Sequence, residues 1–374
     1  MSRAAIYCDY NAGAPVRAEA VVAMSRALAL GGNPSSVHSF GRRMRAAIED
    51  ARDVIAAKLD ASAENIVFTS GATEALHIAM ASAGAASLLV SAVEHDAVFE
   101  QANRAFNGAQ VIPVGADGVV DLDALDAMLA GAPKPALVAV QFANNETGVI
   151  QPVARVAALC RAHGALLLAD AAQAFARIPV SIADLDASYV VVSSHKIGGP
   201  PGAGALALAP GAPFVTARFG GGQERGRRPG TENGPACVGF AAAAEWALRE
   251  LSAEAKRLSG MRDRFEAALP GSALVFAAAA PRLPNTSNFA LPGFKAETSV
   301  IAMDLAGVAL SSGAACSSGK VRASRVLTAM GTSPEIAQCA LRVSFGHESK
   351  EADVDEIIHA LRAICARRSA GAAA

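Results

Sequence analysis

The chain reads YVVVSSHKIGGP at residues 189–200, an apolar run followed by serines, a histidine, a lysine and a glycine–proline turn. Four consecutive apolar residues ahead of turn residues predict a buried strand over 189–192. Lys196 then lies just beyond the end of that strand, at the rim of a sheet. A lysine amine that is partly withdrawn from water has a lowered pKa, which makes it a candidate for Schiff-base formation. A solvated lysine that ends a strand is the simpler interpretation of this stretch alone.

A second strand end upstream changes that interpretation. Residues 165–169 read ALLLA, and Asp170 follows them with Gln173 three positions later. An acid and a lysine at neighbouring strand ends are the pair that a pyridoxal phosphate site requires. Asp170 alone could equally be a helix cap. Together, the two strand ends indicate a cofactor site.

Composition and charge argue against several classes of function. The 374 residues have a formal net charge of -1, which gives no electrostatic basis for binding nucleic acid or an anionic membrane. The N-terminal residues lack the apolar core of a signal peptide, and no apolar stretch is long enough to span a bilayer. We therefore expect a reduced, cytoplasmic protein without a metal site, since no CxxC pair or zinc-like spacing occurs among Cys8, Cys160, Cys237, Cys316, Cys339 and Cys365.

Apolar runs alternate with helical patterns along the first part of the chain. This alternation predicts the α/β class, with a mostly parallel seven-stranded sheet flanked by helices. Polar residues follow the strands, among them His95, residues 144–148, Asp170 and Lys196. Because the carboxyl ends of the strands form the binding crevice of such a sheet, we expect these residues in one site. The predicted strands span residues 66–69, 87–90, 109–112, 136–140, 165–169, 189–192 and 204–208.

A strand that turns directly into a helix supplies a candidate phosphate site. The strand predicted over 66–69 is followed by SGATE at residues 70–74, where a helix begins. Backbone N–H groups and the dipole at a helix start favour an anion, and Thr73 adds a hydroxyl. A plain capped helix start is an equally good interpretation of this motif by itself.

The C-terminal part of the chain has a different pattern and an unusual cysteine. Helices and short strands over 286–290 and 341–345 predict two domains: a large α/β domain formed by residues 14–255, and a smaller α+β domain formed by residues 1–13 and 256–374. The smaller domain carries Cys316 within SSGAACSSG, residues too small to form a core. Free cysteines are usually buried, so an exposed one in such a loop is a candidate nucleophile rather than an incidental linker residue.

Taken together, these motifs resemble the cysteine desulfurases, the NifS/IscS-like branch of the class V aminotransferases among the fold-type I pyridoxal phosphate enzymes. The resemblance covers nearly the whole chain. One such motif is weak evidence, whereas nine in the family's order are strong. They are DYNA (9–12), GNPSS (32–36), SGATE (70–74), EH (94–95), NNETG (144–148), DAAQ (170–173), HK (195–196), the glycine-rich loop 220–231 and SSGAACSSG (311–319).

The resemblance implies a role for each residue around the cofactor ring. Lys196 would hold pyridoxal phosphate as a Schiff base and then take the substrate Cα proton. Asp170 would keep the pyridine nitrogen protonated, so that the ring accepts electrons. His95 would stack on the ring with a possible role in proton transfer, and Gln173 would hydrogen-bond the ring oxygen. A satisfied strand-end histidine is the alternative for His95.

The resemblance also implies the phosphate and substrate contacts. Phosphate contacts would come from Ala72, Thr73, Ser193 and His195, together with Thr231 of the other subunit of an obligate homodimer. Asn145 would meet cofactor or substrate, while Arg342 and Asn33 would bind the carboxylate of L-cysteine, since an arginine fork matches a carboxylate bidentately. From the residues alone, Arg342 reads as an outward-facing strand position and Asn33 as a turn residue.

The implied activity is removal of sulfur from L-cysteine, which gives L-alanine and a persulfide on Cys316. The persulfide would pass to an acceptor protein such as an iron–sulfur scaffold, for cluster assembly or other sulfur trafficking. The segment 320–323 departs from the acidic–proline pattern of the family and leaves the acceptor open. The alternatives are a selenocysteine lyase, another class V aminotransferase-like enzyme, or a non-catalytic sulfur-assembly scaffold.

Overall fold

A seven-stranded sheet forms the centre of the computed structural model, which describes residues 5–106, 108–313 and 324–372. The strand order is β2-β8-β7-β6-β5-β3-β4. In chain order the strands are β1 (Ile6–Tyr7), β2 (Ile66–Thr69), β3 (Ser87–Ser91), β4 (Gln110–Ile112), β5 (Ala136–Gln141), β6 (Leu166–Asp170), β7 (Tyr189–Ser193), β8 (Gly204–Leu208), β9 (Leu274–Val275), β10 (Thr286–Ala290), β11 (Val308–Ala309), β12 (Ser311–Ser312) and β13 (Ala340–Ser344). The seven strands predicted from sequence are those of this sheet, so the α/β prediction is confirmed.

Strand direction places the polar strand ends together. Strands β3 to β7 run parallel to one another, whereas β8 is antiparallel to both β7 and β2. β2 therefore runs in the same direction as β7, and the carboxyl ends of β2, β3, β5, β6 and β7 lie at one edge. That edge receives the residues that follow each strand.

The apolar run that decides the fold is buried on both faces of the sheet. Val190 and Val192 belong to one hydrophobic core cluster, while Tyr189 and Val191 belong to another. Successive side chains of a strand point to opposite faces, so helices must cover both. This two-sided burial explains why residues 189–192 of β7 are all apolar rather than alternating with polar residues.

Helices cover the sheet and continue beyond it. They are α1 (Ala18–Leu30), α2 (Ser39–Leu59), α3 (Ala72–Ser82), α4 (Asp96–Ala105), α5 (Leu122–Gly131), α6 (Val153–Ala162), α7 (Ile182–Leu185), α8 (Gly234–Arg249), α9 (Leu251–Ala268), α10 (Ala296–Leu305), α11 (Arg325–Ala329), α12 (Pro334–Ala337) and α13 (Glu351–Ala372). Among the described residues, no helix combines the length and apolarity needed to cross a membrane.

A second, antiparallel sheet has its own core. Its order is β12-β13-β10-β9, and a two-stranded parallel pair, β1 and β11, lies apart from it. Phe265 packs edge-on against Phe289 and Phe345, and Cys8 from the N-terminal segment joins the same core. The division into residues 14–255 and residues 1–13 with 256–374 stays a prediction.

Candidate active site

A cavity of about 620 Å³ opens at the edge of the sheet where the parallel strands end. Of the thirteen predicted site residues, ten line it: Ala72, Thr73, His95, Asn145, Asp170, Gln173, Ser193, His195, Lys196 and Arg342. The cavity thus joins residues from both sheets, because Arg342 comes from β13.

Two of the remaining predicted site residues, Asn33 and Thr231, do not line this cavity. Asn33 is exposed, and its Oδ1 accepts a hydrogen bond from the Ser35 N–H at 2.8 Å, as a turn residue does. Thr231 is also exposed. Cys316 lies outside the described residues. The roles of all three stay predictions.

The turn between β2 and α3 has the form of a phosphate cradle. Gly71 is the N-cap of α3, provides no side-chain cap and has φ 154°. The first N–H groups of the helix, those of Ala72 and Thr73, have no partner within the helix and border the cavity. Gly204 on β8 allows the close approach, since a Cβ there would lie 2.7 Å from the Gly71 Cα.

Lys196 is a partly buried lysine in the cavity lining, close to two arginines. Its Nζ donates to the carbonyl oxygens of Asn11 at 2.6 Å and Ala12 at 2.9 Å. Burial lowers the pKa of Lys196 to about 8, helped by the nearby Arg177 and Arg342 guanidinium groups and opposed by two carboxylates. The neutral amine, which is the reactive form, is therefore well populated near pH 8.

Asp170 ends β6 as a buried carboxylate in the cavity wall. Its Oδ1 accepts a hydrogen bond from the Ala172 N–H at 2.9 Å. Burial raises the pKa of Asp170, while the Ala172 N–H, His95 and Lys196 act in the opposite direction. A carboxylate in this position favours a cationic ligand, because the attraction would offset the free-energy cost of removing the carboxylate from water.

His95 caps a helix and also lines the cavity. Its Nδ1 accepts a hydrogen bond from the Ala97 N–H at 3.1 Å and so caps α4. In the neutral imidazole the proton is then on Nε2. Because the ring also lines the cavity, the capping contact fixes its orientation there.

The histidine next to Lys196 is kept neutral. The Ser193 Oγ and the His195 Nδ1 lie 3.0 Å apart. Burial lowers the pKa of His195 to about 4, and the Lys196 and Arg177 cations act in the same direction. The pair therefore offers neutral hydrogen-bonding groups to a ligand at neutral pH.

Arg342 points into the cavity wall and is buried, so the interpretation as an outward-facing strand position is wrong. Its Nη1 donates to the Asn145 carbonyl oxygen at 2.9 Å, and its Nη2 donates to the Asp9 Oδ1 at 2.5 Å. Its buried Nε has no hydrogen-bond partner among the described residues. This guanidinium is held in place but retains donor capacity for an anion.

Sequence reasoning missed the part that the N-terminal segment plays. Asp9, Asn11 and Ala12 line the cavity, and the Asn11 amide donates to the Thr286 Oγ1 at 2.9 Å. The available signal was the DYNA motif at residues 9–12, which begins two residues after β1 ends.

These groups fit pyridoxal phosphate. Asp170 suits the pyridinium nitrogen, Lys196 suits the aldehyde, and the start of α3 suits the phosphate. The buried carboxylate and the uncapped helix start are each poorly satisfied in the protein alone.

Comparison with known proteins follows this geometry. The Aminotransferase class-V family matches residues 6–357. A cysteine desulfurase of Gluconacetobacter diazotrophicus is 38% identical over 97% of this chain and 94% of its own length. A NifS-like protein from Rickettsia africae has 31% identity and a TM-score of 0.90, covering 96% of this chain and 99% of its own. SspA, solved in complex with cysteine, has 27% identity and a TM-score of 0.78, covering 91% and 98%.

Proposed function

We propose that this chain, which belongs to the class V aminotransferase family and is a cysteine desulfurase, binds pyridoxal phosphate and L-cysteine together in the cavity described above. The observation that carries the proposal is that Lys196, Asp170 and the uncapped start of α3 border one cavity. The family uses this cofactor, and a catalytic enzyme rather than a non-catalytic scaffold follows from the relatives.

Each residue around the cofactor would perform one task. Bound pyridoxal phosphate supplies an electron sink for the substrate carbon. Lys196 would hold the cofactor and then take the Cα proton with its released amine, and Asp170 would keep the ring nitrogen charged. His95 would lie against the ring. Its Nδ1 accepts the hydrogen bond from the Ala97 N–H, so the proton on Nε2 would point away from Ala97.

Arg342 would orient the substrate by its carboxylate. The guanidinium is positioned before a ligand arrives, because Asp9 and the Asn145 carbonyl oxygen already hold it. A second carboxylate would share or displace Asp9 on the Nη2 side. Asn145 would then contact the substrate from a loop that Arg342 itself fixes.

Cys316 would receive the sulfur. Its thiolate attacks the substrate sulfur, the carbon–sulfur bond breaks and a sulfur–sulfur bond forms. The electron pair of the broken bond stays with the substrate carbon, which gains protons as alanine leaves. The resulting persulfide would pass to an acceptor protein for iron–sulfur cluster assembly or other sulfur trafficking.

Replacing Cys316 with alanine tests the sulfur transfer. We expect sulfide release from L-cysteine with a thiol reductant to fall by about 10²-fold or more, because the nucleophile is removed while the cofactor site remains. Alanine and sulfide are measured in parallel with the absorbance of bound cofactor. Cys365→Ala, in a partly exposed helical cysteine, is the control and should behave as wild type. Wild-type turnover by Cys316→Ala would contradict the persulfide route.

We also propose a homodimer in which Thr231 of the partner subunit reaches the phosphate. Support comes from apolar side chains that are exposed to solvent in the single chain: Val37 is 87% exposed, Phe40 54% and Phe219 89%. Single exposed apolar groups are ordinary, but exposed apolar side chains that are close in sequence, such as Val37 and Phe40, favour a protein contact. Thr231 itself is exposed, which leaves it available to a second cavity.

Mixed dimers test whether Thr231 acts across the interface. Thr231→Ala homodimers should bind pyridoxal phosphate about tenfold more weakly, for one lost charge-assisted hydrogen bond. A dimer of one Thr231→Ala chain and one Lys196→Ala chain, purified through two tags, should keep one site of wild-type affinity. That site has its own Lys196 and receives Thr231 from its partner. Only weak binding in the mixed dimer would place Thr231 on its own chain's cavity instead.

We propose a cytoplasmic location, supported by free cysteines that are mostly buried among the described residues. We also propose the two-domain division, supported by the separate aromatic core around Phe265.

A further inference from the structure

Arg177 is a buried arginine behind the cavity that sequence reasoning did not single out. It is 7% exposed and lies four residues after Gln173. Its Nη1 donates to the Gln173 carbonyl oxygen at 2.8 Å and also to the Gln173 side-chain Oε1. Its Nη2 donates to the Tyr10 and Lys196 carbonyl oxygens, each at 3.2 Å. One cation thus joins three segments of the site.

These contacts assign the orientation of the Gln173 amide. An arginine can only donate, so the Gln173 atom facing Arg177 must be the oxygen. On the other side, Nε2 donates to the Asn11 carbonyl oxygen at 2.9 Å, which can only accept. Both neighbours therefore exclude the flipped amide. Because Oε1 faces Arg177, the second N–H of Nε2 is the donor that Gln173 has left for a ligand in the cavity.

The same arginine holds the backbone on both sides of the reactive amine. Arg177 fixes the Lys196 carbonyl and the Tyr10 carbonyl, and the Lys196 Nζ donates to the carbonyls of Asn11 and Ala12. Loss of the guanidinium would free both the lysine backbone and the segment that its amine contacts. No other described side chain bridges these three segments in this way.

We propose that Arg177 is a positioning residue that locks Gln173 as a hydrogen-bond donor toward an anionic oxygen of the ligand and holds Lys196 against residues 10–12. The ligand oxygen is identified by its chemistry as an acceptor, such as the ring phenolate of pyridoxal phosphate. This inference rests on the proposed function, because the cofactor supplies that oxygen.

The charge of Arg177 adds an electrostatic effect at Lys196. Burial is the largest cause of the lowered pKa of Lys196. Arg177 and Arg342 lower that pKa further, Asp9 and Asp170 raise it, and His195 beside it is neutral at neutral pH. Removing the Arg177 charge should therefore raise the pKa of Lys196 from about 8 toward the ordinary lysine value.

The experiment compares Arg177→Met, Arg177→Lys and Gln173→Glu with wild type. Arg282→Met is the matched control, because Arg282 is another largely buried arginine, paired with Glu266 outside the cavity lining. Lys196 reactivity in the cofactor-free protein is measured against pH by competitive acylation and peptide mass spectrometry. Pyridoxal phosphate affinity and the pH titration of its absorbance are measured separately.

We expect the labelling midpoint of Lys196 to rise by about one pH unit in Arg177→Met and to stay near the wild-type value in Arg177→Lys, which keeps the charge. Cofactor affinity should fall about tenfold in both Arg177→Met, which frees the Gln173 side chain on one side, and Gln173→Glu, which removes its N–H donors. Arg282→Met should lose stability without changing either readout.

Two results would overturn the inference: an unchanged Lys196 midpoint together with unchanged cofactor titration in Arg177→Met, or the same changes in Arg282→Met. If Arg177→Met does not fold, Arg177→Lys and Gln173→Glu decide, and wild-type cofactor binding by both refutes the positioning role. The labelling needs no cofactor, so a wild-type protein that binds none would refute the proposed function and leave the Lys196 midpoint as an independent result.

Discussion

Replacing Lys196 with alanine is expected to abolish desulfuration, with a loss of about 10⁴-fold or more, because one amine both holds the cofactor and moves the Cα proton. The visible absorbance of bound cofactor should disappear at the same time. Nothing else in the cavity can substitute, since Lys196 is the only lysine lining it among the described residues. The measurement is alanine formation with an absorbance spectrum of each purified protein.

The lowered pKa of Lys196 gives this prediction a pH dependence. At pH 8 roughly half of an amine of pKa about 8 is neutral, against well under about 1% of an ordinary lysine. Attachment of pyridoxal phosphate to the cofactor-free protein should therefore accelerate about tenfold per pH unit below about pH 8 and level off above it. Lys58→Ala, in a half-buried helical lysine, is the control and should leave rate and spectrum unchanged. An attachment rate still rising steeply above pH 10 would contradict the lowered pKa.

Replacing Asp170 with asparagine is expected to lower kcat/KM by about 10²–10³-fold, because an amide cannot hold a charged ring nitrogen. The change is nearly isosteric, and the new Oδ1 can still accept the Ala172 N–H that Asp170 accepts. The fold should therefore survive, and the loss should appear as failed electron withdrawal rather than as unfolding. Steady-state kinetics and the cofactor spectrum measure it.

Stability separates the catalytic role of Asp170 from a structural one. Burial raises the folded-state pKa of this acid, so between the unfolded and folded values the native state binds more protons and stability falls as pH rises. At pH 7 the buried charge of Asp170 lowers the stability of the cofactor-free protein, and Asp170→Asn removes that charge. Thermal unfolding should show an unchanged or higher Tm without cofactor and a smaller Tm gain on adding cofactor. A lower Tm in the cofactor-free variant would assign Asp170 a structural role instead.

The sheet was predictable because its strands are buried on both faces. Residues 189–192 of β7 are all apolar, since Val190 and Val192 pack on one side and Val191 on the other. The antiparallel direction of β8 was not predictable, because the pattern of residues 204–208 is the same in either direction.

Much of the site was predictable because polar residues that follow parallel strands meet at one edge of the sheet. Arg342 and Arg177 were harder. An arginine between apolar strand neighbours has no sequence signal for inward or outward placement, and Arg342 is buried only because a second sheet reaches the cavity. Arg177 donates to the backbone carbonyls of Tyr10 and Lys196. Every residue has a backbone carbonyl, so the sequence does not indicate which ones an arginine contacts.

Borohydride reduction identifies the lysine that binds pyridoxal phosphate. Wild-type protein loaded with cofactor is reduced with borohydride, digested and mapped by mass spectrometry. We expect a phosphopyridoxyl group on the peptide that contains Lys196, and no such group on that peptide from Lys196→Ala. A modified lysine elsewhere, or no modified peptide after loading, would contradict the attachment to Lys196.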